Sequence, residues 1–382
     1  MTDTPIDLAQ VASRQVALKR AKSRRAVRRI TRHRDPGVER LERLVMGGRP
    51  HTVLTRGAAP GKPLVLYVHG FLDPALAAAR RIGWVSGLED DFTVVYWERC
   101  GYNSAYRHNL RPSAMSFDHA VADATELIDR LTSRYGSGLH LVGHSLGSAI
   151  ALAAAVERPQ SVASVTALAP VIDNKAGDTV VWRQLRDLVE AGPSPRLKRQ
   201  LRRLGEPPYP ANKALSRVSL ISRTGGIYAE RRAGLARMIY ESTIATWRTP
   251  EYSLTDLARS TAMIRFVVRS SWDDILALRM YDRVNELAMP VLMVLGRADN
   301  GAPPQLAVEY FDHLGAPAGK KLVWFEHSAH FCHVEEPDQL GRHLRDHILA
   351  ASIPQPPDLP ASRLSTNPIQ NNESPLTTHG GD

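Results

Sequence analysis

Residues 139–155 read LHLVGHSLGSAIALAAA: an apolar, strand-like stretch runs without a spacer through Gly-x-Ser-x-Gly into an alanine-rich helix. Few folds accommodate so abrupt a change of direction. Ser145 could serve as a helix N-cap, its hydroxyl accepting a first-turn N–H. Gly143 and Gly147, two positions to either side, argue for another arrangement, in which backbones pass too close for a Cβ. That is a strained strand-to-helix turn that lifts the serine Oγ above the end of a sheet. A serine held there becomes a nucleophile only with a base, an acid and oxyanion donors, which other segments must supply.

The neighbouring segments have the alternation that such a turn requires. Short β-branched and aromatic runs lie at 51–57 (HTVLTRG), 62–71 (KPLVLYVHGF) and 91–101 (DFTVVYWERCG), bounded by Gly, Pro and Asp. Residues 114–136 place Val121, Leu127, Ile128 and Leu131 at helical spacing and end at Gly136. A further buried strand follows at 161–170. Strands alternating with helices predict an α/β fold with a mostly parallel sheet covered on both faces. From 174 to 282 the pattern changes to Arg-rich helical segments without a buried-strand run, and strands return at 289–299 and 320–330 around a helix-like stretch, 304–315. The expected organisation is a basic N-terminal arm over 1–50, a core over 51–173 and 283–351, a helical cap over 174–282 and a disordered tail over 352–382.

Charge is uneven along the chain. Of 49 Lys and Arg, ten lie in residues 8–34, which hold no Asp or Glu, so the remaining 39 match the 39 acidic residues. The net charge of +10 therefore belongs to the arm. A solvated, partly helical arm is the expectation, with weak contact to an anionic surface as the alternative. No aromatic interleaves the basic run, so sequence-specific nucleic-acid binding is not expected. No apolar run approaches the ~18 residues of a membrane span, and the h-region of a secretory signal is lacking. The two cysteines, Cys100 and Cys332, offer neither a disulfide framework nor metal-ligand spacing. A cytoplasmic enzyme without cofactor or metal is the expectation.

Both late strands lead into ionisable residues: Asp299 follows VLMVLGRA and His330 follows LVWFEHSA. Ligands in open α/β sheets sit beyond the carboxyl ends of strands, where these residues fall. The order Ser145, Asp299, His330 is that in which the α/β-hydrolase fold delivers its triad. His327 and His333 compete with His330, but Ser328 and Ala329 are small enough to let a loop bearing His330 approach the serine. The oxyanion donors are expected from the backbone N–H groups of Leu146 and Phe71, with His69 bracing the loop.

Taken together, VHGF, VVYWERCGYNSAY, PSAMSFDHAVADATEL, LVGHSLGSAIA, EYSLTD, VLGRADNGAPPQLAVEYFDHLGAP and LVWFEHSAHFCHVEEP resemble the proline iminopeptidase-like group of α/β-hydrolases over residues 51–345. The resemblance implies a serine hydrolase with Ser145 as nucleophile, Asp299 as acid and His330 as base beneath a helical cap. It also implies a small-molecule or short-peptide substrate. Two departures stand out. HGFLDP replaces the group's usual His-Gly-Gly-Pro-Gly, and Gly225-Gly226 is followed by Ile227 where aminopeptidase members carry a Glu for the substrate ammonium. Glu230 or Glu241 could take that role. A small-molecule carboxylesterase and a non-catalytic, partner-binding member are the alternatives.

Overall fold

The computed structural model describes residues 38–57, 59, 61–78, 88–136, 138–230 and 246–352. Among these residues eight strands form one sheet: β1 (Val38–Met46), β2 (Arg49–Gly57), β3 (Leu64–Val68), β4 (Thr93–Glu98), β5 (Leu139–His144), β6 (Val162–Leu168), β7 (Val291–Gly296) and β8 (Lys320–Phe325). Their order is β1-β2-β4-β3-β5-β6-β7-β8. β2 runs antiparallel to β1 and β4, and every pairing from β4 to β8 is parallel. β3, β4, β5 and β7 are buried along their whole length, which accounts for their near-continuous apolar sequences.

The strand β1 corrects the expectation of an arm through residue 50. Val38–Met46 pairs with β2 in register from Val38↔Gly57 to Met46↔Arg49. Gly47 and Gly48, at φ 52° and 75°, make the tight turn between them, a backbone that twists with the strands and favours glycine. Leu44 and Met46 pack toward the core while Leu41 and Val45 face solvent. Side chains hold the hairpin to α1 (Phe117–Tyr135): Arg49 meets Asp123 at 2.6 Å and Arg134 meets Glu42 at 2.8 Å. The basic run at 8–34 and the tail beyond Ser352 lie outside the described residues.

Helices cover both faces. α1 and α2 (Leu146–Glu157) pack on one side with α7 (Pro304–His313), and α8 (Pro337–Ser352) packs on the other. Alanines fill α2 because it is buried on nearly every side, leaving little room for larger side chains. Between β6 and β7 the described residues form α3 (Asn174–Ala191), α4 (Pro195–Leu204), α5 (Ala214–Thr224) and α6 (Ser260–Ala277), with no strand among them. α4 carries its Arg and Lys outward while Leu201 and Leu204 bury against α3 and α5.

Between β5 and α8, burial lowers the pKa of His140 on the strand and His347 on the helix to about 4, from an ordinary value near 6.5. His140 Nδ1 lies 2.8 Å from Ser164 Oγ and its Nε2 lies 3.1 Å from Ser352 Oγ. The unfolded chain takes up protons at these sites as pH falls from about 6.5 toward 4, and the folded chain does not. Stability is therefore complete above about pH 6.5 and declines through that window, by on the order of 2 kcal/mol per histidine. Urea midpoints should fall between pH 7.5 and pH 5, and His347→Gln should flatten the dependence. An unchanged slope in that variant would place the acid sensitivity elsewhere.

Candidate active site

Ser145 sits between β5 and α2 with φ 56° and ψ −122°, a conformation that costs a non-glycine residue about 1–3 kcal/mol. Its side chain makes no capping hydrogen bond, so capping does not explain it. Neighbouring backbones enforce the turn. A Cβ on Gly147 would lie 2.0 Å from the Val68 carbonyl oxygen, and one on Gly143 would lie 2.5 Å from that of Gly147. The Ser145 N–H donates to Leu168 O at 2.8 Å, anchoring the turn to β6.

His330 approaches from the loop after β8. Its Nε2 lies 3.0 Å from Ser145 Oγ and its Nδ1 lies 2.9 Å from Asp299 Oδ2. Asp299 Oδ1 also accepts the N–H groups of Gly301 and Ala302, at 2.7 and 2.9 Å. With Nδ1–H donated to the carboxylate, Nε2 presents a lone pair to the serine hydroxyl. All three residues are buried, and two glycines permit the approach. A Cβ on Gly301 would sit 2.7 Å from the imidazole, and one on Gly296 would sit 2.1 Å from Ala329 O. His327 is exposed at the strand end, and His333 is buried with its ring 4.4 Å from that of His144.

Several supports of this constellation escaped the sequence reading. Glu336 Oε2 accepts from Ser328 Oγ at 2.6 Å, and Glu335 Oε2 accepts from the Ala329 N–H at 2.8 Å, both just before His330. The other Glu335 oxygen accepts the N–H of Ala229 at 2.8 Å. Nearby, the Asn300 N–H donates to Gly226 O at 2.9 Å, and a Cβ on Gly226 would stand 2.4 Å from that of Asn300. The segment after the glycine pair is thus tied to the loops of both Asp299 and His330. The only sequence signal was the adjacency of two carboxylates in HVEEP to the histidine loop.

Beneath the imidazole, His144 Nε2 lies 3.0 Å from His330 O and its Nδ1 lies 3.4 Å from Asp73 Oδ2. Burial lowers the His144 pKa, favouring the neutral ring with Nε2–H donated to that carbonyl. Among the described residues, Asp73, His144 and His333 bring three possible metal-ligating side chains together, all of them buried. Asp73 Oδ2 is already engaged by Tyr67 OH at 2.9 Å.

Phe71 follows Gly70, whose Cβ would lie 3.1 Å from both His144 Nδ1 and Ser145 Cβ. Its aromatic side chain packs on Trp272 of α6, with ring centroids 5.8 Å apart. Leu146 opens α2, so its N–H has no intrahelical partner. The backbone N–H groups of Phe71 and Leu146 are the candidate oxyanion donors. Glu230 is exposed, and Glu241 lies outside the described residues.

Residues 65–342 match the family described as "Alpha/beta hydrolase family". The chain belongs to that family. It is a hydrolase, and its strand order and helical cover are those of an α/β-hydrolase fold. It is 25% identical over 319 residues to "Probable aminopeptidase YbaC" of Bacillus subtilis (strain 168), covering 81% of this chain and 97% of the relative. A proline iminopeptidase-related protein from Thermus thermophilus superposes with a TM-score of 0.57 at 17% identity, over 82% of this chain and 98% of that one. An esterase from Exiguobacterium antarcticum does so at 0.53 and 15%, over 80% and 98%. No helix among the described residues is long and apolar enough to cross a membrane.

Proposed function

We propose that this α/β-hydrolase is a serine hydrolase that works through an acyl-enzyme on Ser145. The observation that carries the reading is the unbroken series Ser145 Oγ, His330 Nε2, His330 Nδ1 and Asp299 Oδ2, with gaps of 3.0 and 2.9 Å. Oγ attacks the substrate carbonyl carbon while Nε2 takes its proton, and Asp299 stabilises the imidazolium. The negative charge that develops on the carbonyl oxygen is met by the N–H groups of Phe71 and Leu146. Collapse of the tetrahedral species breaks the bond to the leaving group, which receives the proton from Nε2. Water, deprotonated by the same nitrogen, then releases the acid and restores Ser145.

The substrate we propose is an aminoacyl amide or the N-terminus of a short peptide. Support comes from the motifs shared with proline iminopeptidase-like proteins and from the relative named as an aminopeptidase. Glu230 favours a second reading, ester hydrolysis: it is exposed, whereas a buried ammonium needs a carboxylate partner. Two buried, unpaired thiols, Cys100 and Cys332, fit a reducing compartment such as the cytoplasm. A panel of aminoacyl arylamides, their N-blocked forms and short aryl esters separates the two substrate classes. Turnover of the free arylamides with loss on blocking is expected, and hydrolysis of esters alone would reverse the assignment.

A further inference from the structure

Arg99 follows the last residue of β4 and is almost wholly buried. A guanidinium taken out of water normally meets carboxylates, but this one turns to the loop before Phe71. Its Nη2 donates to the carbonyl oxygens of His69 and Gly70, each at 3.0 Å, and its Nε donates to His69 Nε2 at 3.2 Å. His69 completes the clamp, with Nδ1 2.8 Å from Gly70 O. Burial, and then the charge of Arg99, hold His69 well below its ordinary pKa. The ring is therefore neutral, and one tautomer satisfies every contact: Nδ1–H donates to Gly70 O while Nε2 accepts from Arg99. Tyr102 lies against both groups, 4.9 Å from the guanidinium carbon and 4.6 Å from the imidazole centroid.

The Gly70 carbonyl thus takes two hydrogen bonds, one of them from a cation. In a trans peptide the C=O and the following N–H point in opposite directions, so fixing Gly70 O also fixes the N–H of Phe71. The same peptide borders Ser145, whose Cβ is 3.1 Å from where a Gly70 Cβ would stand. A charge-assisted bond to the carbonyl also polarises the amide and strengthens its N–H as a donor. We propose that Arg99 is a positioning residue for the oxyanion hole, acting through the Gly70–Phe71 peptide without touching substrate. This inference rests on the serine-hydrolase reading.

The test uses 4-nitrophenyl acetate, with an alkyl trifluoromethyl ketone and its methyl ketone isostere as inhibitors. The first ketone adds Ser145 Oγ and places an oxyanion in the hole, and the second binds without doing so. Loss of one oxyanion donor costs ~10²–10³-fold, so misaiming one should cost about 10–100-fold. Arg99→Lys keeps the charge but not the fork. It should lower kcat by that factor with KM within about threefold, and weaken the trifluoromethyl ketone in proportion while leaving the methyl ketone unchanged. His69→Gln, which removes the other donor to Gly70 O, should act in the same direction and decides the matter if Arg99→Lys does not fold. A role in packing alone would lower the melting temperature without separating the two ketones. That outcome, or unchanged kcat in a folded variant, overturns the proposal. A wild-type chain that a fluorophosphonate does not label at Ser145 would instead overturn the serine-hydrolase reading.

Discussion

Ser145→Ala is expected to lower kcat by on the order of 10⁶-fold while leaving the fold in place. The two consequences come from different physics. Turnover falls because the covalent route ends when its nucleophile is removed, and what remains is the smaller effect of binding and oxyanion stabilisation. Stability changes little because alanine keeps the Cβ in the same strained turn, and one hydroxyl bond to His330 is worth about 1 kcal/mol. A fluorophosphonate should label the wild type and not the variant. Labelling that survives in Ser145→Ala would move the nucleophile to another residue.

His330→Ala is expected to be about as damaging, and the pair non-additive. Oγ is a weak nucleophile until a base takes its proton, so removing either member disables the same step, and the double variant should be no slower than either single one. The competing histidines supply the controls. His327 is exposed at the end of β8, and His327→Ala should keep kcat within about threefold. His333 is fully buried against His144 and Phe331, so His333→Ala should show first as a lower melting temperature. A His327→Ala variant as inactive as His330→Ala would refute the assignment of the base.

What could be read in the sequence and what could not divide along the range of the interactions. The turn at Ser145 was legible because its determinants lie within five residues, Gly143 to Gly147, and because a strand and a helix flank it directly. Asp299 and His330 were legible as residues beyond strand ends, and the structure brings both to Ser145. The edge strand was not. VERLERLVM reads as a charged amphipathic segment, and only pairing with β2 through the Gly47-Gly48 turn makes it a strand. The Arg99 clamp was hidden for a related reason, since its partners lie 29 and 30 residues away in the loop after the neighbouring strand β3. Glu335 was visible only as part of HVEEP, and its function depends on two backbone N–H groups that no local pattern brings together.

The Glu335 carboxylate holds Ala229 with one oxygen and Ala329 with the other. Ala329 directly precedes His330, so one carboxylate ties the segment after Gly225-Gly226 to the loop that carries the base. A ligand that displaces the segment at Ala229 must either break a charge-assisted bond worth about 1.5–3 kcal/mol or drag the imidazole off the line to Oγ. In the second case the misfit is felt in the rate of proton transfer and not in affinity. Two ligands held equally tightly would then turn over at different speeds, and discrimination between them would survive saturation.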